Sequence, residues 1–269
     1  MKNLLITSFL LSLIICCNTK NNDNTVNVSS KDISIPKEVN KLILALKKDT
    51  NNVELKLKIY KSLDSLGIHI IALQYIDELI KNDSLNNDYW LKRGQLCKQL
   101  EDTTAALKAF RYAARIYPTP MALMELANLY AETKNPLAIK VSNQLMQMNP
   151  DGNYNAQSYF FIGVYYSKIS DNKNALIAFN KSNESDFSFT ETYIEKGVLL
   201  YNEKKYQDAL KVFKQLTSIS QTNADGYYWQ AKCFEKQNNK VVAIELYKKS
   251  LMLNSKLVEA DVALNRLKN

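Results

Sequence analysis

The sequence predicts an all-α fold in which helical hairpins stack along one axis, and the main observation behind this prediction is a repeat. Residues of matching size recur every 34 positions, as the tyrosines Tyr159, Tyr193 and Tyr227 show. Such a period is typical of arrays in which each unit buries its apolar face against its neighbours. Three further rows keep the same spacing: Gly163, Gly197 and Ala231; Ala175, Ala209 and Ala243; Phe179, Phe213 and Tyr247.

The composition favours helices over strands. Hydrophobic residues make up 46% of the 269 residues, which is enough for well-buried cores and excludes general disorder. Only six Gly and five Pro are present, whereas a chain of many short strands needs more of both residues at its tight turns. Long runs in which Val, Ile or Thr strictly alternates with polar residues are also missing from the sequence.

The formal net charge of +8 does not by itself indicate a partner. The longest lysine runs are pairs, such as Lys47-Lys48, Lys204-Lys205 and Lys248-Lys249. Nucleic-acid-binding segments carry denser basic clusters than these pairs. We therefore expect a basic surface that is spread out and solvated, and no nucleic-acid partner.

The first 17 residues have the pattern of a secretion signal. Lys2 precedes an apolar stretch from Leu4 to Ile15, which at about 12 residues is shorter than the roughly 20 residues of a membrane-spanning helix. A positive start, a short apolar region and small residues at its end are typical of a cleaved signal peptide. The stretch ends at Cys16 and Cys17.

The segment from Leu13 to Cys17 resembles the lipobox of bacterial lipoproteins. This resemblance implies a cysteine carrying several acyl chains, which would hold the protein on a membrane without a transmembrane helix. Cys17 is the preferred acceptor because the residue before it is small. The residue before the lipidated cysteine is usually Gly, Ala or Ser, and here it is Cys16. This departure leaves the choice open, so Cys16 stays an alternative acceptor. An ordinary secretion signal with two incidental cysteines is the other interpretation.

Residues 18–35 are expected to form a flexible tether, because Asn, Ser, Thr and Asp dominate this segment. Asn18 follows the proposed lipid site and is not the aspartate that resembles an inner-membrane retention signal. We therefore expect a lipoprotein of the bacterial cell envelope, attached to the outer membrane on either its periplasmic or its surface face.

The rows of the 34-residue repeat resemble the tetratricopeptide repeat (TPR) family, which has two antiparallel helices per unit. The family places a large residue at the fourth position, small residues at the eighth, twentieth and twenty-seventh, an aromatic residue at the twenty-fourth and often Pro at the thirty-second. The resemblance implies a right-handed α-solenoid. In the unit that begins at Asn87, all six positions match: Trp90, Gly94, Ala106, Phe110, Ala113 and Pro118.

We expect about six such units within a solenoid domain at residues 36–269. A helix from about Pro36 to Lys48 precedes them, and a capping helix at 258–269 covers the last open face, with Val262, Ala263 and Leu267 pointing inward. The third unit departs from the pattern by a shortened loop at Asn135-Pro136 and an insertion near Asp151. The units are expected at about 53–86, 87–119, 120–155, 156–189, 190–223 and 224–257.

The small residues of the repeat predict close approach of the two helices within a hairpin. We expect Gly163 to face Ala175, and Gly197 to face Ala209. The aromatic rows are expected to fill the space between hairpins.

The sequence carries no recognisable catalytic, cofactor-binding or metal-binding pattern. His69 is the one histidine and supplies no partner for catalysis or metal binding. Phosphate loops, nucleophile elbows and metalloprotease helices are missing. Cys97 and Cys233 lie four units apart, too far for a disulfide, and are expected to be buried thiols. The pair Glu101-Asp102 lies at a turn, where capping of a helix N-terminus is the expected role.

In the TPR family the first helices line a concave face, to which the second, fifth, ninth and twelfth positions are exposed. Here the fifth positions are all apolar, which predicts an apolar groove for a helical or extended segment of a partner. Coverage of these residues by neighbouring helices is the alternative. The charged clamp that the family uses for acidic C-terminal tails is missing. The predicted groove residues are Leu57, Leu91, Gln95, Met124, Asn128, Phe160, Val164, Ile194, Val198, Tyr228 and Lys232.

These patterns together predict a non-enzymatic adaptor that is anchored by lipid in a bacterial envelope and binds a protein or peptide partner, without metal or cofactor. A regulator of a cell-wall enzyme, or an assembly factor for outer-membrane or secretion machinery, would fit the same architecture. An enzyme or glycan-binding protein built on the repeats is a remote alternative, because no cluster of polar groups recurs in the groove.

Overall fold

The computed structural model describes residues 35–268. The predicted signal peptide, both candidate lipid acceptors Cys16 and Cys17, and the tether up to residue 34 lie outside the described residues. The described part contains fourteen α-helices and no strand. No helix in residues 35–268 has the length and apolar character that crossing a bilayer requires.

Twelve of the helices pair into six hairpins, and single helices flank them. The first helix of each hairpin packs against the second across a short turn. This arrangement confirms the predicted all-α stack of six hairpins with flanking helices. The helices are α1 (Lys37–Leu46), α2 (Val53–Ser65), α3 (His69–Asn82), α4 (Asn87–Gln99), α5 (Thr103–Ile116), α6 (Pro120–Glu132), α7 (Leu137–Gln147), α8 (Asn155–Lys168), α9 (Asn172–Ser185), α10 (Thr190–Asn202), α11 (Tyr206–Ile219), α12 (Ala224–Lys236), α13 (Lys240–Leu253) and α14 (Val258–Lys268).

The two helices of a hairpin differ in their position in the stack. The even-numbered helices from α6 to α12 contact one another along the stack, whereas no pair among α3, α5, α7, α9, α11 and α13 packs comparably in the described part. The even-numbered helices therefore line the inside of the curve. We call α2, α4, α6, α8, α10 and α12 the inner helices, and α3, α5, α7, α9, α11 and α13 the outer helices.

The turn inside every hairpin has the same backbone geometry. One residue adopts a left-handed conformation, with φ between 58° and 73°. The next amide donates a hydrogen bond to the carbonyl five residues earlier, for example Asp171 N to Tyr166 O at 2.9 Å. This is the Schellman ending of a helix. The left-handed residues are Gly67, Glu101, Lys134, Ser170, Lys204 and Asn238.

The residue after the left-handed position often caps the second helix. The side chains of Asp102 and Asp171 accept hydrogen bonds from the amides of Ala105 and Asn174. These contacts satisfy backbone donors that have no partner inside the helix. The capping role expected for Glu101-Asp102 is therefore confirmed for Asp102.

Inside three hairpins a glycine of the inner helix lies directly against an aromatic ring of the outer helix. A Cβ atom on Gly94, Gly163 or Gly197 would come within 2.4 to 2.5 Å of the rings of Phe110, Phe179 and Phe213, respectively. The side chains that come nearest to Gly163 and Gly197 are therefore the rings four residues beyond Ala175 and Ala209, the alanines that the sequence predicts to face these glycines. The glycines are needed because a ring, rather than a methyl group, occupies the space between the helices.

The capping helix α14 buries Ala263 and partly buries Leu267, as predicted, but not Val262. Ala260, Ala263 and Leu264 are buried against α13, whereas Val262 is 60% exposed. The prediction that Val262 points inward is therefore wrong. Residues 260, 263 and 264 fall on one face of a helix with 3.6 residues per turn, and residue 262 falls on the opposite side.

The apolar core consists of four clusters whose members lie between Ile35 and Leu267. A chain that begins at Asn18 therefore keeps every one of these core residues. The two cysteines of the described part, Cys97 and Cys233, are both buried and unpaired, as expected. Burial raises the pKa of the Cys97 thiol and raises that of Cys233 to about 12.

Candidate partner-binding face

The predicted groove residues all lie on inner helices, but they differ in exposure. Leu91 and Val164 are buried, with 8% and 2% of their surface exposed. Both side chains belong to the apolar cluster that joins α4, α6 and α8, so they leave no surface for a partner and are removed from the candidate face. The remaining nine are half-buried: Leu57, Gln95, Met124, Asn128, Phe160, Ile194, Val198, Tyr228 and Lys232.

The middle of the inner face is rigid and aromatic. The Phe160 ring lies with its centroid 5.5 Å from that of Phe189 and 5.7 Å from that of Phe161, both nearly edge to face. Ile194 and Val198 pack from α10 against the next cluster. Because neighbouring side chains pack against these residues, only part of the surface of each is accessible to a partner.

The C-terminal end of the inner face is built around Lys232. Its ammonium nitrogen lies 4.2 Å from the centroid of Trp229, 5.2 Å from Tyr201 and 5.3 Å from Tyr228. Aromatic faces attract a cation at such distances. Burial lowers the pKa of Lys232 and raises that of Tyr201 to about 12. Within residues 35–268 this ammonium group forms no ion pair, and the Glu235 carboxylate, three residues further along α12, attracts it only at longer range.

A second polar group ties the capping helix to the last hairpin. Arg266 Nη2 donates to both carboxylate oxygens of Glu235, at 2.7 and 2.9 Å. The Tyr247 hydroxyl donates to the same carboxylate at 3.0 Å. Burial of the ring and the adjacent negative charge of Glu235 raise the pKa of Tyr247. The Arg266–Glu235 pair thus links α14 to α12, and the Tyr247 hydroxyl links α13 to the same carboxylate.

Between these two groups lies an open cleft of about 500 Å³. On α14 the cleft is lined by Val258 and Val262, which are 67% and 60% exposed, and by the charged residues Glu259 and Arg266. The opposite side carries an aromatic surface and a free positive charge. Such a cleft can hold an apolar side chain and a carboxylate at the same time. Its principal lining residues are Tyr201, Tyr228, Lys232, Glu235, Val262 and Arg266.

Only part of this cleft is predictable from the 34-residue repeat. Tyr228 and Lys232 were predicted from the fifth and ninth positions. Tyr201 and Glu235 occupy the twelfth position of their units, so the same pattern could have found them. Val262 and Arg266 lie on α14, outside the repeats, and the 34-residue period carries no information about them.

The one histidine of the chain lies outside the predicted groove residues. His69 lies on α3, where its Nδ1 is 3.1 Å from a carboxylate oxygen of Asp64. Within residues 35–268, no group of three or more His, Cys, Asp or Glu side chains is arranged to hold a metal ion.

The internal repeats match models of a known family. Two models, both described as tetratricopeptide repeat, match residues 71–120 and 194–256 in one case and residues 156–189 in the other. Together these segments cover more than half of the chain. The chain belongs to the tetratricopeptide repeat family. TPR proteins bind protein or peptide partners, so the inner face is the first surface to consider for binding.

Solved structures show the same TPR fold at low sequence identity. A TPR protein from Parabacteroides merdae is 17% identical, with a TM-score of 0.69, and the match covers 86% of this chain and 91% of that one. One chain of the Cut9–Hcn1 hetero-tetramer of the APC/C is 18% identical, with a TM-score of 0.60, and the match covers 86% of this chain and 46% of that one. Yeast Tom70 is 17% identical, with a TM-score of 0.60 and coverage of 86% and 58%. No curated protein sequence matched this chain significantly.

Proposed function

We propose that this TPR protein is a non-enzymatic adaptor, held by lipid in a bacterial envelope, that binds a segment of a partner protein on its inner face. The observation that carries this proposal is the cleft between α12 and α14. It combines exposed apolar side chains, fixed aromatic rings and an unpaired ammonium group. Protein segments offer this combination of apolar and charged side chains, and TPR proteins bind such segments.

The charges of the cleft indicate which segment would fit. The Glu235 carboxylate already accepts bonds from Arg266 and Tyr247, so its negative charge is largely satisfied. The Lys232 ammonium has no acidic partner in the described part. We therefore infer a partner segment with one large apolar side chain, which would contact Val262 and Tyr228, and an acidic residue nearby for Lys232.

The anchor in this proposal is a lipidated Cys17, with Cys16 as the alternative acceptor, and the proposed location is the outer membrane. More than one acyl chain gives stable membrane attachment. We expect the double substitution Cys16→Ala/Cys17→Ala to move the protein from the membrane fraction to the soluble fraction. The single substitution Cys16→Ala should leave it on the membrane. Continued membrane attachment of the double variant would contradict lipid anchoring.

A matched pair of variants tests the cleft. We expect Lys232→Glu/Val262→Asp to weaken partner binding about tenfold or more, since both the charge and the apolar contact are reversed at the centre of the site. The control, Lys211→Glu/Val241→Asp, makes the same chemical changes at exposed positions of the outer helices. The measurement is quantitative capture of partners from detergent-solubilised membranes, with the wild-type chain as reference. If the two variants captured equal amounts of partner protein, the cleft would not be the binding site.

A further inference from the structure

The outer helices carry a basic surface that the linear sequence does not show. Each basic residue of α5, α7, α9, α11 and α13 is exposed. The acidic residues of the same helices are three: Glu184, Asp208 and Glu245. The excess of positive charge on these five helices is as large as the net charge of +8 of the whole chain. The basic residues are Lys108, Arg111, Arg115, Lys140, Lys173, Lys181, Lys211, Lys214, Lys240, Lys248 and Lys249.

These outer charges are mostly unpaired, in contrast to those of the inner helices. In the described part, only Lys211 among them forms an ion pair, with Asp208 at 3.1 Å. Several cations of the inner helices are paired, for example Lys56 with Glu78 at 2.8 Å and Lys98 with Glu125 at 2.6 Å. Unpaired like charges on neighbouring helices repel one another and attract a polyanion.

The outer face also presents apolar side chains among its charges. On α13, Val241 and Met252 are 70% and 86% exposed. With 3.6 residues per turn, they fall on one line of the helix together with Lys248. Beside α5 an open groove of about 540 Å³ is lined by Leu107 and Tyr112 as well as by basic side chains. Exposed apolar groups between lysines are typical of surfaces that contact a lipid interface.

We propose that the outer face of helices α5 to α13, opposite the partner cleft, lies on a bilayer that contains anionic phospholipid. Nine of its eleven cations are lysines, which act as flexible point charges toward headgroups. The Tyr112 ring, which lies in the groove beside α5, is stacked on Trp90 at 4.6 Å, so it is not an open platform for a base of a single-stranded nucleic acid. A bilayer therefore fits the charges and the exposed apolar side chains better than a nucleic acid does.

The segment that precedes the described part also favours a bilayer as the partner of the outer face. The described part begins at Ile35. If the chain is held by the lipid anchor of the proposed function, on which this part of the inference rests, the tether connects Ile35 to the membrane. The tether from residue 18 to residue 35 then spans at most roughly 60 Å, which keeps the outer face within reach of the membrane. Contact through the outer face would leave the inner face open to a partner.

The test uses the chain from Asn18 to Asn269, which keeps all four core clusters and lacks both candidate lipid sites. Its binding is measured by co-sedimentation with vesicles of phosphatidylcholine alone and of phosphatidylcholine mixed with phosphatidylglycerol. We expect binding to the mixed vesicles only, and release at high salt. Lys108→Glu/Lys248→Glu should weaken binding about tenfold or more. The control Lys61→Glu/Lys236→Glu has the same net charge but lies on inner helices, and should bind like the parent chain.

Three results would overturn the inference: no binding to mixed vesicles, equal weakening by the two charge variants, or tighter binding to a DNA duplex than to mixed vesicles at the same salt. None of these results bears on partner binding or on lipidation, because the measurement contains neither a partner segment nor an acylated cysteine. Failure of this inference is thus distinguishable from failure of the proposed function.

Discussion

Replacing Gly163 with leucine is expected to destabilise the chain by about 3 kcal/mol or more. The reason is that a Cβ atom at this position would lie 2.5 Å from two carbon atoms of the Phe179 ring. That ring is completely buried, so it has no free space into which it can move. Overpacking of a filled core costs about 1–3 kcal/mol and occasionally more. The measurement is urea unfolding of the chain that begins at Asn18.

A compensating variant makes this prediction specific. Gly163→Ala should also destabilise the chain, and Gly163→Ala/Phe179→Leu should lose less stability than the sum of the two single changes, since the smaller side chain makes room for the methyl group. Asn180→Leu on the exposed side of α9 serves as control and should change stability by less than about 0.5 kcal/mol. Additive losses in the double variant would contradict the glycine–ring contact.

Substituting Leu264 with aspartate is expected to detach the capping helix and to open the last hairpin. Leu264 is 6% exposed and packs with Tyr247 and Ala260, so a charge there would be buried without a partner, at a loss of about 3 kcal/mol or more. In a linear stack such a loss stays local. Hydrogen exchange should therefore quicken in α12 to α14, while α2 to α5 remain protected.

Val262→Asp is the matched control, because this residue lies two positions away on the exposed side of the same helix. It should leave hydrogen exchange unchanged and still weaken partner binding. Leu264→Asp should weaken binding as well, since it displaces Val262 and Arg266 together. Uniform loss of protection along the whole chain in Leu264→Asp would contradict a modular stack with a local cap.

The hairpins were predictable because the residues that pack them recur at fixed spacing. Tyr159, Tyr193 and Tyr227 reveal the period without any structural knowledge. The left-handed turn residues were not predictable in the same way. Only the first hairpin uses Gly67 there, whereas Lys204 and Ser170 adopt the same backbone conformation. Because closure of the hairpin requires this conformation whichever residue is present, the residue type does not reveal where the left-handed position lies.

The orientation of side chains was less predictable than the position of helices. Spacing places Gly163 near the outer helix but does not tell whether Ala175 or the Phe179 ring comes closest. Likewise, a short helix such as α14 permits several buried stripes, which is why the inward orientation predicted for Val262 is wrong. The basic outer face escaped detection because its lysines are distant in sequence and are brought together only by the stacking of five hairpins.

The most direct test of the central claim is a comparison of photo-crosslinking at two positions of the full-length chain in the cells that produce it. A photoreactive amino acid is placed at Tyr228 in the cleft and, in a separate variant, at Lys214 on the outer face. Binding of a partner segment in the cleft predicts one dominant protein adduct from position 228, lost when Lys232→Glu is added, and no such adduct from position 214. A protein adduct from position 214 with none from position 228 would contradict it.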